Sequence, residues 1–277
     1  MTPLLRAEGP VLVFGGPYSN LQATEALLAE AARLGIPPTR MVCTGDVVAY
    51  GADPASTLDR VMRSGCHVIA GNCEENLAAG EADCGCGFAE GTACDLLSRG
   101  WYPYAAARVT AAQRGWMAAL PARLVLEIGG RRLAVIHGGA TETSRFLFGS
   151  AEEAVLAAEL AATGCDGVVA GHCGIPFRRD VRGAPWINAG AIGMPADDGT
   201  PRTWFALLWP EPGGGLRAEL RPLSYDHDAA AAAMRAARLP EGYAAALGSG
   251  IWPSADVLPP AERARRGRPL VPVACRW

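Results

Sequence analysis

Five short apolar runs, each breaking off into a glycine-containing turn, constrain this chain more than any other feature. They are Val11–Phe14, Arg40–Cys43, His67–Ala70, Arg132–Ile136 and Gly167–Ala170. Runs of this length between turn signals read as buried strands. Helix-length segments separate most of them. Leu21, Ala23, Ala26, Leu27, Ala31 and Leu34 recur at helical spacing, and Gly35 with Pro37-Pro38 ends that helix. Pro54–Arg63, Thr110–Ala119 and Ala151–Ala162 read as further helices, and Leu124–Ile128 forms a β-hairpin with Arg132–Ile136 through Gly129-Gly130. Strand–helix alternation predicts an α/β fold with helices on the faces of a sheet. In such folds functional residues collect at the carboxyl ends of the strands.

Four polar residues stand at those ends: Asp46 in GDVVAYG, Asn72 in GNCEEN, His137 in VIHGG and His172 in AGHCG. A carboxylate, an amide oxygen and two imidazoles form a mixed N/O donor set. It suits one divalent transition metal, Mn, Fe or Zn. Singly, each residue has a plainer reading: a core histidine bonded to backbone, or an Asp or Asn in a turn. At successive strand ends they read together as ligands.

Composition narrows the function classes. The 277 residues are half hydrophobic with a net charge of −3, and every basic residue is arginine, which removes any lysine-based mechanism. No clustered basic face points to nucleic acid. No stretch reads as a membrane span, and MTPLLRAEGP lacks the features of a signal peptide, so the expected location is the cytoplasm with no membrane partner. Of the nine cysteines, Cys66, Cys73, Cys84, Cys86 and Cys94 crowd into one segment. In a cytosolic chain these read as buried thiols or metal ligands. A disulfide from Cys84 or Cys86 to Cys73 or Cys94 is the weaker alternative.

The rest is less regular. From residue 73 the chain reads as a loop leading into a helix near Thr92–Ser98. Pro185–Ile187, Trp204–Trp209 and Leu216–Leu223 read as closing strands of a second sheet, and Asp228–Arg238 as a helix. Gly250–Trp277 is expected to wrap the surface, with the basic run Arg263–Arg268 as a solvated tail or a weak polyanion contact. One domain, 1–277, with its core at 11–225, accounts for the pattern.

These segments, in order, resemble the calcineurin-like metallophosphoesterase superfamily, most of all its small bacterial phosphodiesterase and phosphatase branch. The matching stretches are GPYSN (16–20), GDVVAYG (45–51), GNCE (71–74), IHGG (136–139), GHCG (171–174) and NAGAIGMP (188–195). The resemblance implies a four-layer α/β/β/α sandwich and a two-metal phosphoesterase centre. Family ligands of one metal fall on Asp46, Asn72, His137 and His172, all of fitting type. Those of the other fall on Gly16, Tyr18, Asp46 and Gly174, where only the shared carboxylate remains. The pattern implies conversion to a site with one metal.

The family's general acid falls on Cys73, next to Glu74, so Cys73 and Glu74 are the catalytic candidates. Cys73, Cys84, Cys86 and Cys173 are candidate accessory thiolate ligands. Tyr18 either fills the vacated space or bonds phosphate through its hydroxyl, and Arg145, Arg178 and Arg202 are candidates for gripping phosphate. The expected function is hydrolysis of a small phosphorylated substrate. The alternative is a catalytically silent relative that binds a phosphorylated ligand, a soft metal or a partner, with redox sensing through the cysteine loop.

Overall fold

In the computed structural model, which describes residues 2–277, the strands form two mixed six-stranded sheets. In the first, β2 (Val11–Phe14), β3 (Met41–Cys43) and β4 (His67–Val68) run parallel. Antiparallel strands β10 (Thr203–Pro210), β11 (Leu216–Leu223) and β12 (Val273–Arg276) extend it from β2. The second sheet has the order β1 (Leu4–Ala7), β5 (Leu124–Ile128), β6 (Arg131–Val135), β7 (Gly167–Ala170), β9 (Ala184–Asn188), β8 (Phe177–Val181).

The period of two along each strand builds the layers. On β2, Val11 and Val13 turn toward the second sheet and join Leu126, Leu133 and Val169 in an inter-sheet core. Leu12 and Phe14 turn the other way. They pack with Leu27 of α1 (Leu21–Arg33) and Leu58 of α2 (Pro54–Ser64). On the far face of the second sheet, Ala134, Val168 and Trp186 pack on Leu156 of α6 (Glu153–Thr163). Helix, sheet, sheet, helix is the four-layer sandwich that the resemblance implied. Each large side chain buried this way contributes about 1.5–3 kcal/mol.

Several expectations need correction. The strands at 204–209 and 216–223 close the first sheet rather than the second, because Ala206 pairs with Val13 of β2. Residue 73 does not open a loop: it lies in α3 (Asn72–Ala79), whose first turn is fixed by the Glu74 carboxylate folding back onto the Gly71 N–H at 2.9 Å. The irregular segment is 80–92, and α4 (Ala93–Ala106) follows it. The basic run is solvated only in part: Arg263, Arg265 and Arg268 are exposed, but Arg266 is not. Arg266 pairs at 2.7 Å with buried Asp197, and this strap carries the chain back to the sheet edge, where β12 adds to β11. α5 (Ala111–Ala118), α7 (His227–Ala236), α8 (Glu241–Ser249) and α9 (Pro260–Arg263) complete the helices described here. Among the described residues no helix is long and apolar enough to cross a membrane.

Candidate metal centre

Parallel strands β3, β4, β6 and β7 end on one rim, and the four predicted ligands stand there. All are buried. The geometry is organised by His137. Its Nδ1 lies 2.6 Å from the Thr44 carbonyl, which can only accept, so Nδ1 carries the proton and Nε2 faces the cluster. Around Nε2 stand His172 Nδ1 at 2.9 Å, Asn72 Oδ1 at 3.1 Å and Asp46 Oδ2 at 3.3 Å. Two of these neighbours are pure acceptors, and one proton on Nε2 cannot serve all three. A cation can. Tetrahedral ligands about 2.0–2.1 Å from an ion are about 3.3 Å apart, close to the spacings found. Asp46, His137 and His172 form the described cluster of His, Cys, Asp and Glu side chains that meets the spacing for one ion.

Each ligand is held from behind. Asp46 follows Gly45 in a turn where its own φ is +56°, a left-handed conformation that Asp tolerates better than most residues. The turn is pinned by Glu74, whose carboxylate accepts from the N–H groups of Asp46 at 2.7 Å, Val47 at 2.8 Å and Gly71 at 2.9 Å. A longer bond at 3.4 Å comes from Val48. Gly71 is glycine for a steric reason: a Cβ there would meet the Asp46 nitrogen at 2.7 Å and His137 Cε1 at 2.8 Å. Asn72 is aimed by its amide nitrogen, which donates to the Cys84 carbonyl at 2.8 Å and the Cys86 sulfur at 3.3 Å. His172 packs its ring between His137 and Phe146, with centroids 4.7 and 4.3 Å away, and its Nε2 is buried without a partner.

Electrostatics keep the donors available. Burial first, then the neighbouring His137 charge, pushes His172 down to about 3, so its ring is neutral near pH 7. At His137 burial opposes the proton, but the Asp46 carboxylate outweighs it and leaves the pKa raised. Burial would raise Asp46, yet His137 prevails and holds it below the usual carboxylate range. Burial, then the Asp46 charge, pushes Glu74 up to about 7.

The other expected site residues fall elsewhere. Glu74 touches backbone amides and no ligand atom, so it positions the Asp46 turn. Cys73 is buried; it takes a weak contact from the Asn72 amide at 3.6 Å, and its own N–H donates to Asp46 Oδ1 at 3.2 Å. Its contact with Cys86 favours the thiolate, but burial wins and the pKa is well raised, so it is a poor acid at neutral pH. Cys84 and Cys86 lie behind Asn72, and Cys173 faces Asn188 at 3.3 Å and Ile175. None of the four thiols joins the metal-spaced cluster. All nine cysteines are free, including the pairs considered for a disulfide.

Two of the three arginines are engaged with carboxylates of the chain itself. Arg145 pairs with Glu159, and Arg202 pairs with Asp198 and the Leu270 carbonyl. Arg178 is exposed on edge strand β8. Tyr18 stands at a position where the resemblance implied a ligand of the other metal. A Cβ on Gly16 would clash with the Tyr18 ring, and one on Gly174 would come within 3.8 Å of its hydroxyl. The phenol ring thus fills the space between the two glycines. Sequence reasoning missed three contributors: the Thr44 carbonyl, the Phe146 ring on His172, and the Asn72 clamp. A backbone carbonyl leaves no sequence signal, and the others come from loops distant in sequence.

The clamp yields a prediction. Cys86→Ala removes one acceptor from the Asn72 amide nitrogen and leaves the Cys84 carbonyl to hold it, so the side chain is loosened but not released. Affinity for Mn should fall by up to about tenfold with the fold intact, the low end of the effect of lost partners of metal ligands. Calorimetric titration with Mn checks this.

Comparison with known proteins decides the family. The model for the calcineurin-like phosphoesterase superfamily domain matches residues 18–209, which includes the four candidate ligands. The chain belongs to the calcineurin-like phosphoesterase superfamily. Solved relatives agree on the fold. A metallophosphoesterase from Sphaerobacter thermophilus is 21% identical with a TM-score of 0.69, covering 88% of this chain and 100% of that one. A hypothetical protein of Pyrococcus horikoshii OT3 is 17% identical with a TM-score of 0.74, covering 88% of this chain and 99% of that one. No curated protein matches the sequence.

Proposed function

We propose that this calcineurin-like phosphoesterase hydrolyses a phosphate ester with a single divalent metal, held by Asp46, Asn72, His137 and His172. One observation carries the reading: three ligand atoms crowd His137 Nε2 within 2.9–3.3 Å, while the Tyr18 ring fills the space between Gly16 and Gly174. When bound, a divalent ion there supplies Lewis-acid polarisation of the phosphoryl group and a nucleophile at neutral pH. In the overall reaction a water oxygen bonds phosphorus, the P–O bond to the leaving alcohol breaks, and a proton ends on the leaving oxygen.

The chain's own residues orient and donate. Neutral His172 and the Nε2 lone pair of His137 present nitrogen to the ion without repelling it. Burial first, then the Asp46 charge, raises Tyr18 well above its ordinary value, so its hydroxyl stays protonated. Beside Gly174 that hydroxyl is suited to donate to a phosphoryl or leaving oxygen. Cys73 supplies no acid, which forgoes about 10²–10⁴-fold in rate and favours esters with good leaving groups.

The test is turnover of bis(p-nitrophenyl) phosphate by purified protein. Chelation should abolish it and Mn should restore it. Turnover that persists after complete chelation refutes the reading. The pH dependence of Mn uptake follows from His137. Its raised pKa means a proton occupies the ring at lower pH and must leave before metal binds. Affinity should therefore fall as pH drops through that pKa, by up to about tenfold per unit, with proton release on binding above background. Titration calorimetry in buffers of different ionisation enthalpy reads the released proton.

A further inference from the structure

Next to the metal centre lies a concave pocket walled mainly by aromatic side chains and open to solvent at its mouth. It begins at His172 itself. Phe146 packs on the His172 ring at 4.3 Å, and Phe88 stands beside Phe146 with centroids 6.4 Å apart. Across the pocket, Tyr18, Tyr50 and Tyr243 form a chain of ring contacts at 4.9 and 4.6 Å. Trp252 closes the side and is rigidly held. Its indole donates to the Pro195 carbonyl at 2.6 Å, and its backbone N–H donates to Asp197 at 2.7 Å. No Arg, Asp or Glu is among the described lining residues.

Two physical consequences follow. First, preformed aromatic walls favour a flat, uncharged ring, which they meet in stacked or edge contact with little ordering cost. Second, each negative charge added to this buried place must be met. A divalent ion with the Asp46 carboxylate and the Glu74 carboxylate buried behind it sums to zero. A phosphodiester adds a single negative charge. A monoester carries nearly −2 at pH 8 and adds a second negative charge with no cation to meet it, because Arg145 and Arg202 are committed to Glu159 and Asp198.

We propose that this pocket is the subsite for one ester arm of a phosphodiester, an uncharged planar aromatic group, and that the centre takes monoanionic diesters in preference to dianionic monoesters. The proposal rests on the phosphoesterase reading for its metal, and on the pocket alone for its aromatic arm. Phe88 and Trp252 are then specificity residues.

Three probes separate the two parts: diphenyl phosphate, dimethyl phosphate and phenyl phosphate, each titrated calorimetrically at pH 8 into Mn-loaded protein whose metal content is counted first. Diphenyl phosphate should bind at least about tenfold tighter than either of the others. Phe88→Ala and Trp252→Ala should each shrink the diphenyl-to-dimethyl ratio toward one without changing the Mn count. Equal binding of diphenyl and dimethyl phosphate by the unaltered protein overturns the pocket assignment while leaving the metal reading intact. Equal or tighter binding of phenyl phosphate overturns the diester preference. If no Mn binds, the metal reading and the diester preference fall together, and the diphenyl-to-dimethyl ratio without metal still decides the aromatic subsite.

Discussion

Glu74→Ala should be the most damaging single substitution at the rim, although Glu74 touches no ligand atom. The carboxylate is fully buried and accepts three backbone N–H groups at 2.7–2.9 Å, with a fourth at 3.4 Å. Removing it strands those donors beneath the turn that carries Asp46. Each orphaned buried donor costs about 1–3 kcal/mol, and water entering the vacated space recovers part of that. A net loss of roughly 3–5 kcal/mol is expected, which lowers Tm by about 6–15 °C for a chain of this size. Glu74→Gln keeps the volume but points an amide N–H at backbone N–H groups, so it should fall between the two. Differential scanning calorimetry of the metal-free proteins checks the order. A Glu74→Ala protein with unchanged Tm contradicts the positioning role. Such a result would also reopen the expectation that Glu74 is catalytic.

The second large effect is at the ligands. His137→Ala removes the nitrogen on which Asp46, Asn72 and His172 converge. Mn affinity should fall by more than about 100-fold, and turnover of bis(p-nitrophenyl) phosphate should drop to background. Both follow from losing one of four ligands together with the Thr44 anchor that aims it. His67→Ala is the control. His67 is off the rim and contacts the Thr39 carbonyl at 3.3 Å, so neither quantity should change. Turnover unchanged by His137→Ala would mean that the activity does not pass through this centre.

The sequence announced what was local. β3 and β7 are buried along their whole length, so each reads as an unbroken apolar run with Asp46 or His172 just beyond it, and Asn72 and His137 stand in the same way after β4 and β6. That made Asp46, Asn72, His137 and His172 findable, and with them the four-layer fold through the resemblance. Edge strands β1 and β8 were not visible, because half-exposed LLRA and FRRDV mix charge into a short run. α3 was hidden because NCEENLAA carries few apolar positions, and its cap lies in a Glu74–Gly71 contact.

Side-chain partners over long separations were the least legible. Arg145 was offered to phosphate, but Glu159, fourteen residues on, already holds it. Arg266 was read as solvated, but Asp197, sixty-nine positions away, pairs with it. The aromatic pocket draws Tyr18, Tyr50, Phe88, Phe146, Tyr243 and Trp252 from separate segments, and no window of sequence contains it. Tyr18 shows the middle case. Its departure from the family's ligand type was plain, while the ring's filling of the space over Gly16 was visible only in the structure.

The most direct test is to count ions. Protein purified, stripped and soaked in excess Mn should give a crystal structure with one anomalous peak per chain, within ligand distance of His137 Nε2. Elemental analysis of the same protein should then give one equivalent. A second peak beside Tyr18 and Gly174, or an empty centre at saturating Mn, contradicts the single-metal account.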